Sequence, residues 1–317
     1  MSPRDGVDLP LMSVENPVVS VIIPAFNRNH TLPRALASVT QQTYRDLEII
    51  IIDDGSAQPT EQVLSSFEDS RIRLMVHQTN RGANAARNTG IAAARGKYVA
   101  FLDSDDEWDK HKLELQVTAL ERAPLSVGAH YTGYTAFLED GSFHLKRSPV
   151  SSGNLLPLLL DRNQIGTLSS LMVRRSVLEA VGWFDENLQS VQDWDLYIRI
   201  AKEYEFATVG DQLVRYYLGE DSITRNYKAK AAGLSALLKK HENAMSARPS
   251  AFSRQLVQAG HYYVRSGAIC QGQDMFLRAV RIYPFALRGY LLFLLSLFGG
   301  RAYEGAVSFR HKAWPYS

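Results

Sequence analysis

The stretch "LEIIIIDDGS", residues 47–56, decides the fold. Four consecutive isoleucines leave no polar face for water. A β-branched run of this kind suits a strand buried on both sides, as in parallel sheets covered by helices on each face. Two aspartates, a glycine and a serine then break the run. The same pattern recurs: "VVSVII" (18–23) breaks at "PAFNRN", "IRLMVHQ" (72–78) leads into "NRG", and "YVAFL" (98–102) into "DSDD". Between these runs lie "TLPRALASVTQQ", "TEQVLSSFED" and the small-residue stretch "GANAARNTGIAAA", which read as helices. Thr31 offers a cap and Pro33 stands early in the first of them. Strict alternation of strand and helix predicts an α/β, Rossmann-like fold with a mostly parallel central sheet flanked by helices.

In such sheets ligands sit beyond the carboxyl ends of the strands. "PAFNR", "DDGS", "NRG" and "DSDD" therefore fall on one edge. The last of these, within "AFLDSDDEW" (100–108), gathers Asp103, Asp105, Asp106 and Glu107 beside Ser104. One reading is local: Ser104 and Glu107 form a capping box that opens a helix through "DEWDKHKLELQVTALE". The other is a metal site, because hard carboxylate oxygens suit Mg²⁺ or Mn²⁺. Capping does not explain why four strand-end clusters converge, and convergence favours a functional site. No G-x-G-x-x-G follows the first strand, no P-loop appears, and the histidines show no zinc spacing.

The chain has 317 residues and a formal net charge of +2, which argues for no nucleic-acid partner. Cys270 is the sole cysteine, so no intrachain disulfide forms; a reducing compartment fits. Residues 1–17 read as a polar lead-in without an apolar signal core. The strongest apolar run, "YLLFLLSLF" (290–298), is far shorter than the ~20 residues that span a bilayer. No transmembrane helix is expected.

After residue 128 the pattern changes. "GAHYTGYTAFL", "SSLMVRR" and "FATVGDQLVRYYL" read as strands, and "WDLYIRIAKEY" as a helix. Ser176 and Glu179 form a second candidate capping box. Residues 139–167 are mostly polar loop. Beyond residue 222 the chain reads as helical, and "YYVRSGAICQGQDMFLRAVRIYP" resembles a single tetratricopeptide-type hairpin.

A carboxylate–metal–diphosphate arrangement at a strand edge points to a nucleotide-activated substrate. Asp53 and Asp54 suit hydrogen bonds to a base or ribose, Phe26 suits stacking on a base, and Arg81 suits a phosphate or base contact. At these residues a resemblance becomes plain. "VSVIIPAFNR", "LEIIIIDDGS", "NRGANAARNTGI", "GKYVAFLDSDDEW" and "QDWDLYIRI" resemble, in order and spacing, the motifs of family 2 glycosyltransferases. The resemblance spans about residues 18–224. It implies a GT-A fold, nucleotide-diphosphate sugar donors, a divalent metal, and inversion at the anomeric carbon. It further implies that Pro24, Ala25, Phe26 and Asn27 line the nucleotide pocket, together with Ser104. Asp54 would hold the uracil edge with Arg81 beside it, Asp103 would support the ribose and share the metal with Asp105, and Asp193 would be the catalytic base. Trp194 and Asp195 are candidates for the acceptor wall, while Trp183 reads as core.

Two departures matter. Gln192 stands where the family usually has Glu, which bears on acceptor positioning. The histidine common after the later strand is missing from "YYLGEDSIT", which removes a third protein ligand to the metal. Gln-x-x-Arg-Trp is absent too, so single addition is expected rather than processive synthesis. The implied organisation is a glycosyltransferase domain over 18–225, with a nucleotide-binding half to about 127 and an acceptor half from 128. A helical extension follows over 226–317. The acceptor would be a glycan or a lipid-linked sugar, and the location cytoplasmic. The basic tail (Arg254, Arg265, Arg278, Arg281, Arg288, Arg301, Arg310, Lys312) beside its apolar run suggests peripheral contact with the inner membrane face. A helical bundle burying its own apolar face is the competing reading of that tail. Two competing functions remain: a sugar-1-phosphate nucleotidyltransferase, against which the absence of a glycine run after strand one speaks, and a non-catalytic nucleotide-sugar-binding protein.

Overall fold

The computed structural model of the chain describes residues 16–138, 140–219, 226–300 and 302–305. Its centre is one nine-stranded sheet. Strands β1 (Val19–Ala25), β2 (Leu47–Asp53), β3 (Ile72–Val76) and β4 (Tyr98–Phe101) form a parallel half in the order β3-β2-β1-β4. The short β5 (Glu107–Trp108), the long β6 (Val127–Leu138), β7 (Phe143–Arg147), β8 (Leu171–Arg174) and β9 (Glu205–Leu218) complete the sheet. Here β8 lies antiparallel between β4 and β6, β6 runs parallel to β9, and β5 and β7 pair antiparallel at the margins. The mostly parallel expectation thus describes β1–β4, whereas the second half is mixed. The reason is local: the Ser169 hydroxyl meets the Asp103 amide at 3.1 Å, so β8 begins at the edge where β4 ends and must run the other way.

Helices α1 (Leu32–Thr40), α2 (Glu61–Leu64), α3 (Ala83–Ala93), α4 (Lys112–Arg122), α5 (Leu156–Leu159), α6 (Arg175–Val181) and α7 (Gln192–Glu203) accompany the sheet. Every residue of β1 and β2 is buried, as the apolar runs require. Alternate side chains go to opposite layers. Ile22, Ile50, Ile52, Val99 and Phe101 share a core with α3 and α7, while Val21, Ile23, Ile49, Ile51 and Ala100 share one with α1 and α4. The small residues of α3 let it lie close on the sheet: a Cβ added to Gly90 would stand 2.6 Å from Ile22 Cγ2.

Three local expectations fail. The second predicted helix shrinks to four residues, where the Ser65 and Ser66 hydroxyls turn back to the Gln62 and Val63 carbonyls at 2.8 Å. No helix opens at the Ser104–Glu107 capping box; Glu107 and Trp108 instead pair with β9, and α4 starts at Lys112. Ser176 lies inside α6 and caps nothing.

Beyond the sheet, α8 (Tyr227–Lys240), α9 (Glu242–Ser246), α10 (Pro249–Arg265), α11 (Ile269–Ile282) and α12 (Leu287–Leu297) form a helical extension. It joins the α7 side of the sheet through Leu234, Leu237, Phe252 and Phe276 in the same core. The α10–α11 hairpin closes tightly at Gly260 and Gly272, where a Cβ on Gly272 would stand 2.8 Å from the Gly260 carbonyl. Among the described residues no helix is long and apolar enough to cross a membrane. The apolar run does not turn wholly inward. α12 buries Gly289, Leu292 and Ser296, and leaves Leu287, Tyr290, Leu291, Leu294 and Leu297 exposed along one side.

Candidate active site

The parallel strands end level with one another, Ala25 opposite Asp53 and Asp53 opposite Val76. Their polar loops surround a cavity of about 630 Å³. Pro24, Ala25, Phe26, Asp54, Asp103, Ser104, Asp105 and Asp193 all line it. The first seven come from the sheet edge, and Asp193 from the start of α7.

Asp54 organises the loop after β3. It is 2% exposed, and its carboxylate accepts from the Arg81 amide at 2.9 Å, the Gly82 amide at 2.7 Å and His77 Nδ1 at 2.7 Å. Arg81 thus contributes its backbone; its side chain is exposed and does not line the cavity. Asp53 turns away to the Thr60 hydroxyl at 2.6 Å and the Ser56 amide at 2.9 Å, so it shapes the loop and faces no ligand. Asn27 is likewise off the cavity wall. It adopts φ 54° and ties the first loop to the second, donating its amide to the Ser56 hydroxyl and accepting from the Ala57 amide, each at 2.9 Å.

The acidic stretch divides by role. Asp106 is fully buried beneath the cavity and accepts from Ser169 Oγ at 2.5 Å and the Tyr217 amide at 3.2 Å. Burial, then Asp105 and Asp103, push its carboxyl well above the ordinary range. Asp103 accepts from Arg87 Nη2 at 2.6 Å. The Asp105 carboxylate has no such close partner: Arg28 Nη2 is 4.0 Å from it, and Arg34 Nη2 holds the Asp105 backbone carbonyl at 2.6 Å. Burial and the neighbouring Asp103 raise its carboxyl.

These residues fit a divalent cation that arrives with a diphosphate. Among the described residues no cluster of three carboxylate, histidine or cysteine side chains closes on one point. Mg²⁺ and Mn²⁺ sites commonly use one or two carboxylates, with phosphate and water completing the shell. Asp105, crowded by Asp103 and short of a counter-charge, is the chemistry such a cation would relieve.

Arg87, 5% exposed, is a site residue that motif reading missed. Its Nε and Nη1 are buried and without hydrogen-bond partners. A buried guanidinium with two open donors in a cavity wall is suited to an anion. The signal was present in "NAARNTG", but a small-residue helix gave no reason to single out its one cation.

In the same cavity Asp193 accepts from Asn163 Nδ2 at 2.9 Å. Burial raises its carboxyl to about 6, against the pull of the Trp194 amide, Asn163 and Arg87. This value lies near neutral pH, where a general base is most effective. Gln192 lines the cavity beside it with a buried, unpartnered Oε1. Asn163 sits in the mostly polar stretch 139–167, and Lys230 and Tyr262 reach the same cavity from α8 and α10.

The acceptor-wall candidates do not line this cavity. Trp194 is 5% exposed and its indole donates to the Leu159 carbonyl at 2.7 Å, so it packs α7 onto α5. Asp195 is fully buried and held by His241 Nε2 at 2.8 Å, Arg199 Nε at 2.9 Å and Lys240 Nζ at 3.1 Å. Burial would raise its carboxyl, but His241, Arg199 and Lys240 outweigh this and hold it well below the ordinary range. Asp195 therefore fastens α8 to α7. Residues on a helix point about 100° further round at each step, so Trp194 and Asp195, following Asp193, turn away from the cavity. Trp183, read as core, is instead 39% exposed. Of "YYLGEDSIT", residues 220–224 lie outside the described residues, as do Arg301, Arg310 and Lys312 of the basic tail.

Residues 20–182 match the model of the family described as Glycosyl transferase family 2. The chain is 32% identical over 232 residues to the putative teichuronic acid biosynthesis glycosyltransferase TuaG of Bacillus subtilis, covering 68% of this chain and 84% of that one. It is 40% identical over 109 residues to the Escherichia coli UDP-Glc:alpha-D-GlcNAc-diphosphoundecaprenol beta-1,3-glucosyltransferase WfgD, covering 34% of this chain and 43% of that protein. It spans 32% of the length of two uncharacterised Rickettsia glycosyltransferases. Among solved structures, Staphylococcus aureus TarS 1-349 in complex with UDP-GlcNAc superposes with a TM-score of 0.66 at 17% identity, covering 93% of this chain and 92% of that one. That likeness shows the fold, which is GT-A.

Proposed function

The chain belongs to glycosyl transferase family 2, and from that premise we propose that it moves one sugar from a nucleotide-diphosphate donor, UDP-linked, to a hydroxyl of a glycan or lipid-linked acceptor in polysaccharide biosynthesis. The observation that carries this reading is that Asp193 lines one cavity together with Asp103 and Asp105. Direct displacement with inversion needs a base on one face of the sugar and a clamp for the departing diphosphate on the other. Asp193 takes the proton from the acceptor hydroxyl as its oxygen bonds to the anomeric carbon. Arg87, with its open donors, and Arg28 hold the diphosphate. Asp105, with Asp103 beside it, would hold a divalent cation, which would supply further neutralisation of the charge on the leaving nucleotide. Phe26, 44% exposed at the cavity, offers a face to the base, and the loop ordered by Asp54 closes beside it.

The nucleotide half over about 18–127, the acceptor half over 128–225 and the extension from 226 meet at this cavity in our reading, since Lys230 and Tyr262 of the extension line it. The exposed side of α12 supports attachment of that extension to the inner face of the cytoplasmic membrane. A panel of UDP-, GDP- and dTDP-sugars with Mn²⁺ tests the activity. One donor should release its nucleotide slowly alone and faster with acceptor. Tight binding of a nucleotide sugar without release or transfer under any condition would favour a non-catalytic binding protein.

A further inference from the structure

A second cavity of about 600 Å³ lies against α10, between the segment after α5 and the turn from α11 to α12. Two segments connect its lining to that of the active cavity. Asp161 and Arg162 line it, and the next residue, Asn163, reaches Asp193. Gln258 of α10 also lines it and meets the hydroxyl of Tyr262, one turn further on, which lines the active cavity. At 1.5 Å rise per residue, Arg254 and Tyr262 on α10 stand about 12 Å apart, so one extended ligand can lie along both.

The lining has a distinct chemistry. Arg254 is paired with Asp161 at 2.5 Å. Arg162 and Arg288 line the same space, and neither has a carboxylate partner among the described residues. Beside these two free cations stand Phe285 and Leu287, 77% and 78% exposed, and Leu287 begins the apolar side of α12. Unpaired arginines next to uncovered apolar side chains suit a molecule with a compact, multiply charged anionic head and a long hydrocarbon tail.

The geometry points to this second cavity as the seat of the lipid diphosphate of a lipid-linked acceptor, with Arg162 and Arg288 on the diphosphate, Phe285 and Leu287 on the first part of the tail, and the acceptor sugar directed past Asn163 and Tyr262 to Asp193. This rests on the transferase reading above and adds to it the acceptor class and the residues that select it. The tail would leave along α12, the side proposed to meet the membrane.

The test uses the full chain saturated with UDP, so that the phosphate-binding groups of the active cavity are occupied. Farnesyl diphosphate, farnesol and inorganic pyrophosphate are titrated by calorimetry, and vesicles of anionic phospholipid are assayed in parallel. Farnesyl diphosphate should bind at least tenfold more tightly than either fragment. The double variant Arg162→Gln/Arg288→Gln, altered at two exposed positions, should bind it at least tenfold more weakly while keeping its affinity for UDP and its melting temperature. With a polyisoprenyl-diphosphate sugar as acceptor, the same variant should show a KM for acceptor raised about tenfold and an unchanged KM for donor. Unaltered binding of farnesyl diphosphate by the double variant would overturn the assignment. So would competition between farnesyl diphosphate and UDP, or loss of vesicle binding in the variant with farnesyl diphosphate binding intact. The two readings fail separately. Donor hydrolysis without farnesyl diphosphate binding removes only the second cavity's role. Farnesyl diphosphate binding at these arginines without release of nucleotide from any donor removes only the transferase reading.

Discussion

Asn163 donates its side-chain amide to Asp193 Oδ2 at 2.9 Å, and the same nitrogen reaches the Gly166 carbonyl at 3.2 Å. Its Oδ1 accepts the Gly166 amide at 2.9 Å. The asparagine thus folds its own loop and presents a donor to the carboxylate. A hydrogen bond to the charged form opposes the burial that raises Asp193. Asp193 is held in one orientation, largely ionised at neutral pH, with its proton affinity still high enough to act as a base.

Replacing Asp193 with asparagine keeps the size and most hydrogen bonding but removes the acceptor of the proton. Transfer should fall by ~10²–10⁴-fold, the usual worth of a positioned base, with UDP affinity retained. In the parent, kcat/KM should drop below pH 6 as the carboxyl, raised to about 6 mainly by burial, takes up a proton. A raised carboxyl binds its proton more tightly in the folded state than in the unfolded one, so it subtracts stability as pH rises from about 4 to 6. Asp193→Asn should therefore melt higher than the parent at pH 7.5, with the gap closing near pH 4. Near-normal transfer by the folded variant would remove Asp193 as the base.

Asn163→Ala should move the acid limb of the rate profile upward, because the ionised carboxylate loses a donor. The rate at pH 7 should fall more than the rate at pH 8.5. A profile superimposable on that of the parent would show that Asn163 serves its loop alone.

Asp105→Ala tests the cation site. The parent should bind UDP more tightly with Mn²⁺ than with chelator, and the variant should lose that difference without unfolding. Equal affinity in the parent with and without chelator would leave the diphosphate to Arg28 and Arg87.

Asp195→Ala leaves the His241, Lys240 and Arg199 side chains without their shared carboxylate in a buried place. Removing one partner of such a cluster costs about 3–5 kcal/mol. A depressed carboxyl contributes stability above its unfolded pKa and loses it as pH falls through the folded value. The denaturation gap between parent and variant should thus be full at pH 7 and shrink in acid. Proteolysis of the variant should release the helical extension first; an unchanged digest would mean that α8 is held by its apolar contacts.

Leu291→Asp/Leu294→Asp changes two exposed positions on α12. Co-sedimentation with anionic vesicles at low salt should be lost, while the melting temperature stays within about 2 °C, as for surface changes generally. Equal sedimentation of both proteins would leave the apolar side of α12 unexplained by membrane.

The sequence alone determined the order of strands and helices in the first half. β-branched runs such as residues 49–52 have no alternative to double-sided burial, and strand direction then sends the breaks at 24–27, 53–56 and 103–106 to one edge. It determined the family through the same motifs. Tertiary structure decided the rest. β8 runs antiparallel because a loop, not a crossover helix, delivers it to the end of β4. Asp53 and Asp54 are identical in the sequence, yet one faces its own turn and the other the loop of Arg81 and Gly82, since adjacent side chains leave a strand end in opposite directions. Trp194 and Asp195 carry the motif that reads as an acceptor wall, but one helical turn places them in the core and against α8. Asn163, Lys230 and Tyr262 enter the cavity from segments with no motif, and Arg87 from inside "NRGANAARNTGI", whose pattern does not single it out. Local pattern records which face of an element is apolar; which distant element covers that face is settled by packing, over separations such as the 30 residues between Asn163 and Asp193 and the 46 between Asp195 and His241.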